Sequence, residues 1–282
     1  MTFAKFLDYL RWGKQEPVPL RLDVRSPMAN VGCGGVFHPD WDNYDLIPAD
    51  PTIRAINLSH SLPLADRSYE VIYCSHVLEH LERGRVGEIL REFRRILRPG
   101  GILRLAVPDL ALIAAAYLEE FQRAKRGEPE AEIRHEWMTL ELLDQITRKF
   151  PGGHMLRWWQ SRPVMARDFV LKRVGQEAAP WILREGDPEP PADQNPNLNL
   201  YRLPEKPVED EKAVRRSGEI HRWMYDEVSL GCLLREAGFL QPLVRGPRES
   251  RIPGFSNYHL DTTPDGLVRK PDSLFMEAVT PS

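Results

Sequence analysis

Cysteine is scarce: the 282 residues hold three, Cys33, Cys74 and Cys232, and no C-x-x-C pair. An odd, widely spaced set excludes a disulfide framework and a thiolate zinc site and fits a reducing compartment, so a cytoplasmic location is expected. Charge of one sign is also missing: 38 Lys+Arg against 41 Asp+Glu leave a formal charge of −3. So balanced a chain has no general attraction to nucleic acid or anionic lipid, and neither is expected as a partner. No run approaches the ~18 apolar residues of a membrane span. The opening MTFAKFLDYLRWGKQEP is too charged for a signal peptide and reads as a short amphipathic helix with Phe3, Phe6, Leu7 and Leu10 on one face. No internal repeat is visible.

Hydrophobic residues make up 42% of the chain, enough for a packed core. Residues 28–109 alternate strand-like and helix-like runs. Met28–Val31 is short and apolar, Asn43–Ile47 is closed by Pro48, Thr52–Asn57 is a third candidate, and Tyr69–Ser75 is rich in β-branched and aromatic residues. Over 83–98 the apolar residues Val86, Ile89, Leu90, Phe93, Ile96 and Leu97 recur at helical spacing. Pro99-Gly100-Gly101 then stops the helix before a strand at Ile102–Val107. Arg91, Arg94, Arg95 and Arg98 read as its solvated face. This alternation predicts a parallel α/β sheet.

The pattern changes after residue 109. Helices are predicted over 110–125 and 131–148. Seven prolines then crowd residues 180–207, which excludes regular structure there. Sheet grammar returns with a helix over 227–237 capped by Asp226, a strand near Leu240–Val244 and a last strand at Leu274–Val279. The expected division is therefore a sheet core of residues 1–109 and 219–282, interrupted by a mainly helical 110–218. An insertion at that place is expected to cover the sheet's ligand-binding edge as a substrate lid.

The chemical clue is Asn30-Val31-Gly32-Cys33-Gly34-Gly35, a glycine-dense bend after the first strand, where missing Cβ atoms let a ligand lie against the main chain. A nicotinamide fingerprint would need a further glycine at 37, where Phe37 stands, which argues against an oxidoreductase. Asp45 ends the second strand. A carboxylate there can accept both hydroxyls of a ribose, or simply close a turn.

The runs LPLADRSYEVIYCSHVLEHL (62–81) and REFRRILRPGGILRLAVPD (91–109), with the glycine bend and the strand-end acid before them, resemble the type-11 branch of class I S-adenosylmethionine-dependent methyltransferases. The match runs in order over 26–109. It is closest to a bacterial group of methyltransferases with a short first crossover and a long insertion, whose ending SRIPGF…LDTTPDGLVRKPDSLFMEA is also similar. The resemblance implies a Rossmann-like α/β fold with a seven-stranded, mostly parallel sheet, and S-adenosylmethionine as cofactor. Carried over, Gly32, Cys33 and Gly34 line the methionine part, Asp45 binds the ribose, Asn57 and Leu58 flank adenine, and Ser75 and His76 lie beneath the sulfonium near the acceptor. Three departures stand out. Asn30 occupies a cofactor-lining place where the family commonly has Asp or Glu, and an amide supplies no charge for the ammonium group. The step from Gly34 to Asp45 is too short for a full crossover helix. Val36 replaces the third glycine.

His76, Asp109 and His221 are the candidate catalytic residues. His76 could be a general base. With His80 it forms an i, i+4 pair, but no third ligand is identifiable, so no metal is expected. Asp109 could orient an acceptor, or cap the next helix. His221, Arg222, Trp223 and Tyr225 form an aromatic and basic cluster, and Trp223 could equally be core. Gly152-Gly153 is either a turn or a lid hinge, and Trp158-Trp159 either core or a sugar platform. Methyl transfer to a small-molecule or saccharide-like acceptor is the leading expectation. The alternative is a non-catalytic sensor or scaffold that binds S-adenosylmethionine or its demethylated product.

Overall fold

A computed structural model of the chain describes residues 22–183 and 218–282. The expected N-terminal helix, and the proline-rich stretch from residue 184, lie outside the described residues. Two compact units emerge, one of Met1–Asp109, Arg222–Leu267 and Ser273–Ser282, the other of Leu110–His221 and Val268–Asp272.

The first unit is built on seven strands: β1 (Met28–Val31), β2 (Asp42–Asp45), β3 (Arg54–Ala55), β4 (Tyr69–Ser75), β5 (Leu97–Pro108), β6 (Leu240–Arg245) and β7 (Ser273–Val279). Their order is β3-β2-β1-β4-β5-β7-β6, parallel except for antiparallel β7. The chain leaves β1 toward β2 and later returns on its other side as β4. That reversal makes a switch point, where open α/β sheets bind ligands at the C-terminal strand ends.

One face of the sheet is helical. Helix α1 (Arg83–Ile96) buries Val86, Ile89, Leu90, Phe93 and Ile96, the residues that its periodicity singled out. They pack with Leu103, Leu105 and Leu274 of the sheet and with Leu230 and Leu234 of a late helix, Glu227–Glu236. Asp226 caps that late helix in a reciprocal capping box with Ser229. The helix expected to stop at Pro99 ends earlier, because Leu97 turns to extended geometry (φ −75°, ψ 143°), and β5 runs through Pro99-Gly100-Gly101.

The opposite face has a different cover. No helix lies between β1 and β2; residues 32–41 form turns. Trp41, Val71 and Tyr73 pack instead against Ile252, Phe255 and Leu260, from the segment that links β6 to β7. A buried ion network fastens that segment. Arg104 on β5 is fully buried and faces Glu277, its register partner on β7. Its Nε and one terminal nitrogen donate to Asp261 Oδ2 (2.8 and 2.7 Å), and the other terminal nitrogen to Glu277 Oε1 (2.8 Å). The carbonyls of Gly246 and Glu249 take its remaining bonds (3.1 and 2.9 Å), Tyr73 OH donates to Asp261 Oδ1 (2.6 Å), and the guanidinium lies 4.5 Å from the Phe255 ring centre.

The second unit is helical: α2 (Leu110–Lys125), α3 (Ala131–Thr147), α4 (Gly153–Gln160), α5 (Arg167–Val174) and the short α6 (Ala179–Ile182), which makes Glu227–Glu236 α7. Helices α4 to α6 carry no periodicity long enough to read in the sequence. Trp137, Trp158 and Trp159 are all buried, with Trp137 and Trp158 in an edge-to-face contact at 5.6 Å, so the tryptophan pair is core and not a sugar platform. Gly153 starts α4 at φ +57°, and a Cβ on it would meet the Asp144 carboxylate at 2.2 Å. Asp144 accepts the His154 backbone N–H at the mouth of α4 (2.7 Å), so packing accounts for this glycine.

Two outcomes follow. Arg104→Ala leaves Asp261 and Glu277 buried without their counter-charge, and should lower unfolding free energy by about 3–5 kcal/mol in urea titrations. The second concerns Asp272. Burial, reinforced by the charges of Glu141 and Glu177, pushes its carboxyl up from 3.8 to about 7. Between those two values the folded chain keeps a proton that the unfolded chain has released, so this group erodes stability as pH rises through that window. Asp272→Asn should match the unmodified protein in thermal melting near pH 4 and melt higher at about pH 8. Equal melting at both would contradict the assignment.

Candidate active site

The site is assembled at the C-terminal ends of β1, β2 and β4. The chain leaves β1 through Gly32 at φ +73° and Gly34 at φ +54°, left-handed geometry that glycine adopts without strain. The bend is tied to β2 by three backbone N–H groups. Those of Gly32 and Cys33 donate to Tyr44 O (2.8 and 3.0 Å), and that of Gly34 to Asp45 Oδ2 (2.7 Å). Asp45 Oδ1 accepts from Ile47 N (3.0 Å). The expected neighbours, glycine bend and strand-end carboxylate, therefore touch.

The outer side of the bend is open to solvent. A Cβ built on Gly34 or Gly35 would meet no protein atom within 4 Å. The inner side is closed: a Cβ on Gly32 would sit 2.2 Å from Val77 Cγ2, so only glycine allows the segment after β4 to pass so near. Cys33 is buried. Burial, then the charge of Asp45, pushes its thiol up to about 12, so it is a neutral thiol and no nucleophile.

The structure gives Asn30 a different task from charge supply. Its amide nitrogen donates to Val36 O (3.0 Å) and Asn43 Oδ1 (3.3 Å), and Asn43 in turn donates to His38 O and Trp41 O (both 2.8 Å). This amide ladder holds the helix-free crossover, and the turn backbone takes the bonds that a crossover helix would have made internally. Asn57 follows β3, its Oδ1 accepting Ser59 N–H (2.8 Å), and Leu58 packs on the helical-face core. Ser75 ends β4 opposite Ala106 of β5.

His76 comes next, at φ +54°, a left-handed conformation that is uncommon for a residue with a side chain and concentrates at functional sites. Its backbone N–H donates to Ala106 O (2.8 Å). Its ring is engaged on both sides. Nδ1 lies 3.2 Å from Glu79 Oε1, and Nε2 lies 2.7 Å from Ser273 Oγ. Glu79 is fully buried, and its carbonyl accepts the N–H groups of Arg222 (2.6 Å) and Trp223 (3.3 Å). His80 Nε2 is 3.9 Å from the same Glu79 oxygen.

Asp109 follows β5 and forms an isolated parallel bridge with Tyr225. Tyr225 is buried, and burial with the Glu79 charge pushes its hydroxyl up to about 12. Trp223 is not core: it is 39% exposed, with the Arg83 guanidinium 4.0 Å over its ring. His221 belongs to the helical unit, where its N–H donates to Gln145 O (2.9 Å). Sequence reasoning missed Glu79 and Ser273. The H-V-L-E-H spacing carried the first, as an acid three residues after His76, whereas Ser273 lies 197 residues away and gave no signal.

Residues 30–105 match the family described as methyltransferase domain, of type 11. Over that segment, about a quarter of its length, the chain is similar to a methyltransferase domain. Among curated proteins, the chain is 27% identical over 134 residues to the uncharacterized protein YafE of Escherichia coli, covering 46% of this chain and 55% of that one. The chain thus spans little more than half of that relative's length. Similar solved structures include a SAM-dependent methyltransferase from Thermotoga maritima (TM-score 0.37, 10% identity, 98% of this chain and 89% of that one). Another is a SAM-dependent methyltransferase from Archaeoglobus fulgidus (TM-score 0.36, 10% identity, 98% and 94%). Among the described residues, no helix is long and apolar enough to cross a membrane.

Proposed function

We propose that this chain is an S-adenosylmethionine-dependent methyltransferase acting on a small-molecule acceptor. One observation carries the reading. The glycine bend and the Asp45 carboxylate meet at 2.7 Å beside the switch point of a parallel sheet, with open space on the outer side of Gly34 and Gly35. That donor set suits the cofactor: an acid for the two ribose hydroxyls and a bend with no Cβ in the way of the methionine part. When bound, S-adenosylmethionine supplies a methyl group on a positively charged sulfur. The chain's own task is to hold an acceptor in line with it and to manage the acceptor's proton. His76 is the group placed for the proton. The buried tryptophans lend nothing to a saccharide surface, so the proposal is a small molecule with an oxygen or nitrogen to be methylated.

A second reading, binding of S-adenosylmethionine or its demethylated product without turnover, is favoured by Asn30, whose amide nitrogen is committed to Val36 and Asn43. Calorimetric titration tests what both readings share. The unmodified protein should bind S-adenosylmethionine and not NAD. Asp45→Ala should weaken binding by about 10- to 100-fold, the worth of charge-assisted hydrogen bonds of about 1.5–3 kcal/mol. No binding by the unmodified protein overturns both readings, and binding of NAD instead would favour an oxidoreductase. Release of the demethylated product in the presence of an acceptor separates enzyme from sensor.

A further inference from the structure

We propose that Glu79, His76 and Ser273 form a proton relay that serves a hydroxyl acceptor, with Ser273 as the group that meets it. This rests on the methyl-transfer reading above. The three side chains stand in the order carboxylate, imidazole, hydroxyl: Glu79 Oε1 is 3.2 Å from His76 Nδ1, and His76 Nε2 is 2.7 Å from Ser273 Oγ. In that order the negative charge of the buried acid lies beside Nδ1 and favours the ring proton there, which leaves Nε2 to accept from the hydroxyl.

Three features mark the arrangement as built. Glu79 is fully buried, so its charge acts through a medium that screens little. His76 holds a strained left-handed backbone, fixed by the Ala106 carbonyl, that aims the ring. Ser273 opens the antiparallel strand β7 opposite Pro108, which brings it to the same strand ends as the glycine bend. Val77, the neighbour of His76, is the residue that packs on Gly32, so the relay and the bend share one piece of backbone.

The balance is simple. The acceptor gives its proton to Ser273 Oγ while the Ser273 proton passes to His76 Nε2. The acceptor oxygen gains the methyl group, the electron pair of the broken carbon–sulfur bond stays on sulfur, and the imidazolium is matched by the Glu79 carboxylate. The proton then leaves His76 for water. His76 is the base, Ser273 touches the acceptor, and Glu79 is a positioning residue.

The test has two arms. Nitrogen-15 histidine NMR of the cofactor-free protein should show His76 with the signal of the Nδ1–H tautomer. That signal should vanish in Glu79→Gln and persist in Ser273→Ala. An Nε2–H tautomer, or a signal that survives Glu79→Gln, overturns the relay. In the second arm, transfer to phenol should fall by about 100-fold or more in His76→Gln and Ser273→Ala. Transfer to thiophenol, a stronger acid that needs less help from a base, should fall far less, and Ser273→Thr should recover part of the loss. Equal losses for both probes overturn the relay while leaving methyl transfer standing. Failure of the unmodified protein to bind S-adenosylmethionine overturns methyl transfer itself, whatever the tautomer.

Discussion

The hydrogen bond from Gly34 N–H to the Asp45 carboxylate is the joint on which the site depends. It fixes the exit of β1 against the end of β2, and the Gly32 and Cys33 bonds to Tyr44 O brace it. With the bend fixed, Gly32 offers a flat surface for Val77, and Val77 positions the strained His76 beside it. One constraint thus sets both ends of the proposed site, the bend and the His76 ring. The same carboxylate accepts from Gly34 and Ile47, so two protein donors hold it in one orientation, as a preorganised ribose acceptor requires.

Removing the first crossover helix has a structural cost, met on the opposite face. A parallel sheet buried on one face only would expose an apolar surface. Here Trp41, Val71 and Tyr73 are covered by the segment between β6 and β7, and Arg104 anchors that segment through two carboxylates and two carbonyls. Such a network stabilises little compared with an apolar core of equal size, but it tolerates no missing partner. It gives one specific docking of a segment without regular structure, which apolar contacts alone would define poorly. The short crossover is held by side-chain amides, and that explains why Asn30 stands where an acid is common.

Much of this was legible because it is local. Tyr69–Ser75 is the observed β4, the buried face of α1 is the periodic one, and the capping of α7 by Asp226 needed only neighbouring residues. That the glycine bend and Asp45 stand together was legible because they close the neighbouring strands β1 and β2. What escaped was non-local or short. Arg104 reads as one more polar residue in a strand until β7, 173 residues on, places Glu277 opposite it. Ser273 is silent for the same reason. Helices α4 to α6 have eight residues or fewer, below the length at which periodicity stands out. Strand β3 shrank to two residues because the chain around it is held by turns, and the Gly152-Gly153 pair answered to Asp144 packing.

The central claim is that the bend at Gly32–Gly34 and the carboxylate of Asp45 grip one sulfonium nucleoside. Backbone amide NMR, with S-adenosylhomocysteine added stepwise, tests it most directly. The account predicts that the largest shifts fall on Gly32, Cys33, Gly34, Asp45 and Ile47, with smaller ones at Asn57 and His76. Saturable shifts confined to other parts of the chain, with those amides unmoved, would contradict it.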